Sequence, residues 1–263
     1  SGAGVLISVG DLPLFALVVA GLSGSIFGLL FGFLVTILRV NQVIAGLIMV
    51  FLAQGLTSLL SRNMDWVNKP FEGLAKLNSG IFSEIPIIGP IIFQQDLLVY
   101  CTLLFYLVSF YFIYRTSIGL RLRAVGENPE AVDAAGGDVI LIRLIAVIIG
   151  TFFLGLAGGY FTVVVSKIWV DGISGGRGWI IIALVIFARW QLSRALLGAV
   201  IFGCIEALIP RLAAIGFQLP QYFVLMMPYA ITLLVMVWSN LNPKNIRAAP
   251  SSLGRPFLRE ERH

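Results

Sequence analysis

Charged residues are scarce in this chain. They make up 12% of its 263 residues, against 59% that are apolar, whereas a soluble domain carries about 25% charged residues. Too little polar side chain is therefore present to cover a water-facing surface. Apolar runs of about 20 residues follow one another, and their lack of apolar–polar alternation excludes a transmembrane barrel. The composition predicts an all-α fold, a polytopic bundle of transmembrane helices that satisfy their own backbone hydrogen bonds.

Residue types that carry catalysis or bind metal ions are also rare. The chain has one histidine, His263, at its last position, and two cysteines, Cys101 and Cys204, each inside an apolar run. We interpret both cysteines as small buried hydrophobic residues and not as a disulfide or a metal pair. The sequence also lacks a glycine-rich phosphate loop ending in Lys and Ser or Thr. These absences predict no catalytic residue, no metal and no cofactor.

About seven hydrophobic segments are long enough, or nearly so, to cross roughly 30 Å of hydrocarbon. They are residues 14–38, 43–60, 97–114, 139–165, 179–190, 195–214 and 222–238. The fifth segment is short for a full span, so that it is either extended by the glycine-rich residues before it or part of a broken helix. In the first segment, Gly24, Gly28 and Gly32 recur every four residues, which we interpret as ordinary close packing within the bundle.

The net charge of +5 could indicate nucleic-acid binding, but basic residues in a membrane protein collect in cytoplasmic loops. Placing loop 115–138 and the C-terminus in the cytoplasm leaves twelve of the 18 basic residues inside and six outside. We therefore predict no nucleic-acid partner, and an external segment over residues 62–96. Residues 1–239 form the predicted membrane domain. Residues 240–263 form a basic cytoplasmic tail, which its prolines and charges predict to be disordered.

Polar side chains within the spans are candidates to line a transport path. Glu206 lies inside the sixth segment, and an intramembrane carboxylate is by default a functional hypothesis. It could instead form a structural ion pair, with Arg211 or Arg189 as partner. Amides at the start of the second segment and further along it can donate and accept hydrogen bonds to a neutral solute, or merely join helices. The candidate path residues are Asn41, Gln42, Gln54 and Glu206.

The long polar loop on the predicted cytoplasmic side, residues 115–138, contains the signals of a short helix. Asn128 can cap a helix that Pro129 opens at its first position, with Glu130 in the first turn. Gly136 is placed to end it. Such a helix lies outside the bilayer and carries small residues on one face, which suits docking into a groove on another protein. A stiff connector between two spans is the alternative.

The stretch Arg123–Gly136 reads Arg-Ala-Val-Gly-Glu-Asn-Pro-Glu-Ala-Val-Asp-Ala-Ala-Gly. It resembles the cytoplasmic coupling helix of permeases in the simple-sugar and nucleoside branch of ABC importers. Further segments resemble the same family in the same order, so that the resemblance covers nearly the whole chain. These are residues 39–46, 85–93, 176–180, 187–190, 203–207 and 227–234. The resemblance is strongest to permeases that work with lipoprotein binding proteins of the basic-membrane-protein type.

The resemblance implies a permease subunit of an ATP-driven importer in the bacterial cell membrane, which moves a nucleoside or a simple sugar. The residues it assigns to ATPase coupling are Glu127, Asn128, Pro129, Glu130, Ala131, Ala134 and Gly136. It also implies four partners besides the solute. These are an ABC ATPase subunit, a second permease subunit (identical or different), an extracytoplasmic solute-binding protein and the lipid bilayer.

The chain departs from the family pattern in two places. Family members usually begin with one or more further spans that carry an Asn-Ile-Gly-x-Glu-Gly segment, so we expect an N-terminally truncated form. Gly137 follows Gly136 where a Gly-Ile pair is common.

Two other classes of membrane protein are alternatives to the permease. An ATP-independent transporter or channel would show a line of intramembrane charges or paired broken helices. A membrane enzyme acting on lipid would need clustered acids or histidines at the interface. The sequence shows neither pattern clearly.

Overall fold

The structure, a computed structural model, describes residues 2–9, 12–74, 94–214, 216 and 249–257, with isolated positions between 226 and 237. Within these residues the regular secondary structure is helical, apart from one isolated antiparallel bridge between Pro70 and Ile168. The α-helices are α1 (Gly2–Val9), α2 (Pro13–Gly32), α3 (Gln42–Asn63), α4 (Leu97–Arg115), α5 (Ser117–Glu127), α6 (Pro129–Ala134), α7 (Val139–Tyr160), α8 (Arg177–Ala188) and α9 (Leu192–Ala214). Two π-helical turns, Phe33–Ile37 and Phe161–Ser166, extend α2 and α7.

Four helices of the described part are long and apolar enough to cross a membrane, which confirms the all-α membrane fold. They are Pro13–Ile37, Gln42–Asn63, Leu97–Arg115 and Val139–Ser166. The shortest has 19 residues and is therefore about 28 Å long. Their ends differ from the first four predicted spans by at most three residues, because long uninterrupted apolar runs leave little freedom in where a span begins. Helix α9 matches the sixth predicted span, and the seventh lies outside the described residues except at isolated positions.

The fifth predicted span is the short helix α8, which has 12 residues and a length of about 18 Å. The glycine-rich segment before it does not lengthen the helix. Gly175 and Gly176 have φ angles of 52° and 80°, which lie in the left-handed region that glycine enters freely and that a right-handed helix does not use. Helix α8 therefore begins only at Arg177.

The chain forms two compact units: Ser1–Ile173 together with Gly254–His263, and Ser174–Leu253. In the first unit α2 packs closely along α7. A Cβ added at Gly24 would lie 2.9 Å from Cα of Gly155, and one added at Gly28 would lie 2.8 Å from Cβ of Thr151. Both distances are shorter than real side chains tolerate, so only glycine lets the two backbones approach this far. The predicted packing role of the glycine stripe is confirmed.

Glycines on α7 provide a direct test of this contact. A Cβ at Gly155 would run into the carbonyl oxygen of Ala20 and lie 3.1 Å from Cα of Gly24, whereas nothing lies within 4 Å of a Cβ at Gly158. We expect Gly155→Ala to destabilise the protein by about 1–3 kcal/mol through overpacking. Gly158→Ala should be neutral or slightly stabilising, because alanine favours helix by about 1 kcal/mol. Thermal unfolding in detergent measures both; equal midpoints would contradict the close approach.

Residues 249–257 of the predicted tail are described, and those from Gly254 onwards belong to the first unit. Phe257 packs against an apolar cluster of three valines, and the guanidinium of Arg143 donates a hydrogen bond to the carbonyl oxygen of Arg255 at 3.0 Å. For the remainder of the predicted tail, disorder stays a prediction.

Candidate functional site

Loop 115–138 turns sharply where α4 gives way to α5. Thr116 leaves the helical conformation with φ −109° and ψ 155°, and its hydroxyl oxygen accepts a hydrogen bond from the amide of Gly119 at 3.1 Å. A Cβ at Gly119 would collide with the carbonyl oxygen of Phe112, so the turn requires glycine at this position. The guanidinium of Arg123 lies 5.2 Å from the ring centroid of Tyr114, a cation–π contact that ties α5 back to the end of α4.

Helix α6 follows after a single residue, and it has the ends that the sequence predicts. The side-chain oxygen of Asn128 accepts a hydrogen bond from the amide of Ala131 at 3.0 Å, and Pro129 occupies the first helical position. At the other end Gly136 adopts a left-handed φ of 81°, and its amide donates to the carbonyl of Asp133 at 2.9 Å. The prediction of a short helix capped at both ends is confirmed.

One buried side chain fixes the orientation of α6. Val132 belongs to an apolar cluster with Val125 of α5 and Val139 of α7. Burial of Val132 turns the opposite side of the helix outwards, so that Ala131 and Ala134 are both exposed. They are three residues apart and therefore lie on one face. One face of α6 is therefore exposed and carries the small side chains of Ala131 and Ala134, while the opposite face packs against α5 and α7.

The other predicted coupling residues lie in the same stretch. Glu127 ends α5, and Glu130 lies in the first turn of α6, where its charge complements the helix dipole. Both are exposed. All seven predicted coupling residues thus fall within ten consecutive positions, 127–136, at the turn between α5 and α7.

The amides predicted to line a path are not clustered. The side-chain oxygen of Asn41 accepts hydrogen bonds from the amides of Val43 at 3.0 Å and Ile44 at 3.3 Å, so that it caps α3. Gln42 is half-buried beside it, whereas Gln54 is exposed further along the same helix. Twelve residues separate Gln42 from Gln54, a distance of about 18 Å along α3. The sequence contains a signal for this capping role, because Asn41 directly precedes an apolar run. The prediction of a path residue did not take this signal into account.

Glu206 is part of an ion pair in the second unit. Its Oε1 lies 2.6 Å from Nε of Arg177, the first residue of α8. Four residues before Glu206 on α9, the buried Phe202 packs against Phe187 of α8, with ring centroids 5.7 Å apart. Because residues four apart share a helix face, Glu206 lies on the side of α9 that faces α8. Both partners nevertheless remain about half exposed in the single chain.

The sequence predicted Arg211 or Arg189 as the partner of Glu206, and it missed Arg177. Arg211 is close to Glu206 in the chain, and Arg189 lies at the end of α8. The actual partner is 29 residues away, at the far end of the neighbouring helix, and antiparallel pairing of α8 with α9 brings the two together.

Polar contacts that the sequence reading did not single out hold the predicted external end of the first unit. The buried hydroxyl of Ser61 donates to Oδ1 of Asp171 at 3.2 Å, and Arg62 lies 3.8 Å from the same carboxylate. The hydroxyl of Tyr160 donates to the buried Asp96 at 3.4 Å. Among the described residues, no group of three or more His, Cys, Asp or Glu side chains is placed to hold a metal ion. These contacts join helices and loops.

Comparison with known proteins shows the family of the chain. Residues 1–236 match the profile of a family described as "Branched-chain amino acid transport system / permease component". The chain belongs to this permease family. Because its relatives are ABC transporter permease proteins, the chain is a membrane-spanning permease subunit of an ATP-driven importer and is not itself an enzyme. No solved structure matches it.

Three relatives of the permease illustrate the match. A Haloferax volcanii protein, provisionally named a glucose ABC transporter permease, is 35% identical over 87% of this chain and 76% of its own. The guanosine ABC transporter permease of Bacillus subtilis is 28% identical over 95% and 79% of the two chains. The nucleoside ABC transporter permease of Lactococcus lactis is 29% identical over 85% and 72%.

Capping of α6 in the permease can be tested without a partner. Asn128→Ala removes the acceptor for the amide of Ala131 and should cost about 1 kcal/mol of local helix stability. Hydrogen exchange of the peptide containing residues 128–136 should therefore accelerate about fivefold. Asn128→Asp keeps an acceptor oxygen and should protect the peptide as the wild type does. Unchanged exchange in Asn128→Ala would contradict the cap.

Proposed function

We propose that this permease moves a nucleoside or a simple sugar into the cell, and that α6 is the element through which a partner ATPase drives it. The observation that carries the coupling role is the exposed Ala131–Ala134 face on a helix anchored from behind by Val132. The names of the relatives, which give glucose, guanosine and nucleosides, support the solute class. The chain carries no phosphate-binding loop, so ATP hydrolysis belongs to the ATPase subunit.

The contacts of α6 provide a route for force into the membrane. ATP binding closes the ATPase dimer and displaces α6. Val132 packs with Val139 in the first turn of α7, so a displacement of α6 is transmitted to α7, and α7 packs closely on α2 through the glycine contacts. In each nucleotide state, the ATPase must therefore bind one arrangement of these helices more tightly than the other. This difference in affinity shifts the population between inward- and outward-facing forms.

The proposed assembly contains three further kinds of protein chain. A second permease subunit, identical or different, completes the path. An ATPase subunit docks on α6, and an extracytoplasmic solute-binding protein delivers the solute at the opposite face. Asn41, Gln42, Gln54 and Glu206 remain the candidate path residues. Pairing of Glu206 with Arg177 neutralises both charges, which is compatible with a neutral, hydroxyl-rich solute.

The proposed topology places loop 115–138 and the C-terminus in the cytoplasm of a bacterial inner membrane, with residues 62–96 outside. The contacts of Arg255 and Phe257 with the loop side of α7 support a common side for loop and C-terminus. In a background with both native cysteines replaced by serine, an impermeant thiol reagent added to intact cells should label Glu72→Cys but not Glu127→Cys. Both positions are exposed in the chain. The reverse labelling pattern would invert the topology and exclude α6 as the ATPase contact.

Uptake into proteoliposomes tests the function itself. The permease is reconstituted with its ATPase and the second permease subunit. The vesicles should accumulate labelled nucleoside or sugar only when ATP is present on the ATPase side of the membrane and the loaded binding protein on the other side. Omission of the ATPase should abolish accumulation. Accumulation driven by an ion gradient, without ATPase, would instead establish an ATP-independent transporter. Competition among nucleosides and sugars for the binding protein then identifies the solute.

A further inference from the structure

The C-terminal segment Gly254–Phe257, which we name the clasp, lies against the valine cluster where α5, α6 and α7 meet. Its Phe257 is half-buried and packs against the cluster of Val125, Val132 and Val139. One turn along α7 from Val139, Arg143 donates from Nη1 to the carbonyl oxygen of Arg255 at 3.0 Å. Within the described residues, the ring of Phe257 and the carbonyl oxygen of Arg255 thus join the clasp to the helices that surround α6.

Helix α6 is too short to be stable without tertiary contacts. It has six residues, whereas isolated helices shorter than about 12 residues are marginal in water. Its one buried side chain is Val132, a small residue, and the cluster partners of Val132 are two more valines. Among the described residues, Ala124, Ile142 and Phe257 pack against this cluster. Phe257 is the largest of the three, and an aromatic ring buries more area than a valine. Loss of this ring would leave the cluster open on one side.

We propose that Phe257 is a positioning residue for coupling: the clasp holds α6 in the orientation that presents Ala131 and Ala134 to the ATPase. This proposal rests on the proposed function of α6. In this proposal the clasp acts through the valine cluster and not through a contact of its own with the ATPase. The apparent affinity of a docking element decreases when fewer molecules are in the binding-competent conformation. If α6 adopts its docking orientation less often, the permease therefore binds the ATPase more weakly, although the docking face is unchanged.

The experiment separates the position of α6 from its docking. Detergent-purified permease carrying Phe257→Ala is compared with wild type in two assays, hydrogen exchange of the peptide covering residues 125–137 and titration of the ATPase of the same transport system. We expect faster exchange in that peptide, and an ATPase dissociation constant raised about five- to tenfold. Phe257→Leu, which keeps an apolar side chain, should restore most of both. Leu253→Ala is the matched control, because Leu253 is apolar, close in sequence and 55% exposed.

The outcomes distinguish this proposal from the proposed function. Unchanged exchange in Phe257→Ala would overturn the clasp, whatever the ATPase does. Faster exchange with unchanged ATPase affinity would overturn the positioning role and leave a purely structural contact. If wild-type permease does not bind the ATPase, the coupling function of α6 fails, and the positioning role fails with it.

Discussion

Ala134→Trp should weaken binding of the ATPase to the permease at least tenfold and lower solute-stimulated ATP hydrolysis by a similar factor. Ala134 is exposed on the face of α6 that it shares with Ala131, and a face of two alanines fits a narrow groove. An indole there excludes the partner sterically, and a tenfold change corresponds to about 1.4 kcal/mol, well within the cost of a steric clash. Pull-down of the ATPase by detergent-purified permease gives the affinity.

Folding of the permease should survive this change, because α6 lies outside the membrane helices and Ala134 contributes nothing to the valine cluster. Ala134→Ser, which adds one oxygen atom, is the control and should bind normally. Expression level and thermal midpoint should match wild type for both variants. A correctly inserted Ala134→Trp protein with wild-type ATPase affinity would show that loop 115–138 is only a connector.

The structure of loop 115–138 was largely predictable because its determinants are local. Asn128, Pro129 and Gly136 set the ends of α6 through bonds within a few residues, and the structure confirms each of them. The same holds for the first four spans, whose long apolar runs fix their positions. Local signals do not show, however, which face of α6 is exposed. The exposure of Ala131 and Ala134 follows from burial of Val132 against helices on both sides, and the sequence alone does not reveal that contact.

Contacts between residues distant in the sequence could not be predicted. The Arg177 partner of Glu206 requires knowledge that α8 ends in a tight turn and α9 runs back beside it. That turn uses Arg189 and Trp190 with φ angles of 51° and 55°, a conformation that non-glycine residues rarely adopt and that no turn motif announced. The clasp was equally invisible, because a tail rich in proline and charge predicts disorder from composition, whereas Phe257 makes its contact through a single side chain.

Removal of one partner of the Arg177–Glu206 pair should be more damaging than removal of both. Glu206→Leu leaves the guanidinium of Arg177 without this carboxylate. Because the two side chains are 43% and 48% exposed, solvent screens the remaining charge, and we expect a loss of about 1 kcal/mol. Arg177→Leu leaves Glu206 without its guanidinium in the same way. We expect each single variant to yield less folded protein in fluorescence-detected size exclusion. Glu206→Gln should be tolerated better, since its amide oxygen can still accept a hydrogen bond from Nε of Arg177.

The double variant Arg177→Leu/Glu206→Leu decides what the pair is for. With both charges removed, neither is left without its partner, so folded yield should return close to wild type. The coupling between the two sites should be about 0.5–1 kcal/mol in a double-mutant cycle. Transport by this variant then separates the two roles considered for Glu206. Restored uptake assigns the pair to joining α8 with α9, whereas folded protein without uptake places the charges in the solute path. Additive losses in the cycle would contradict the 2.6 Å contact as an energetic interaction, because independent sites do not rescue one another.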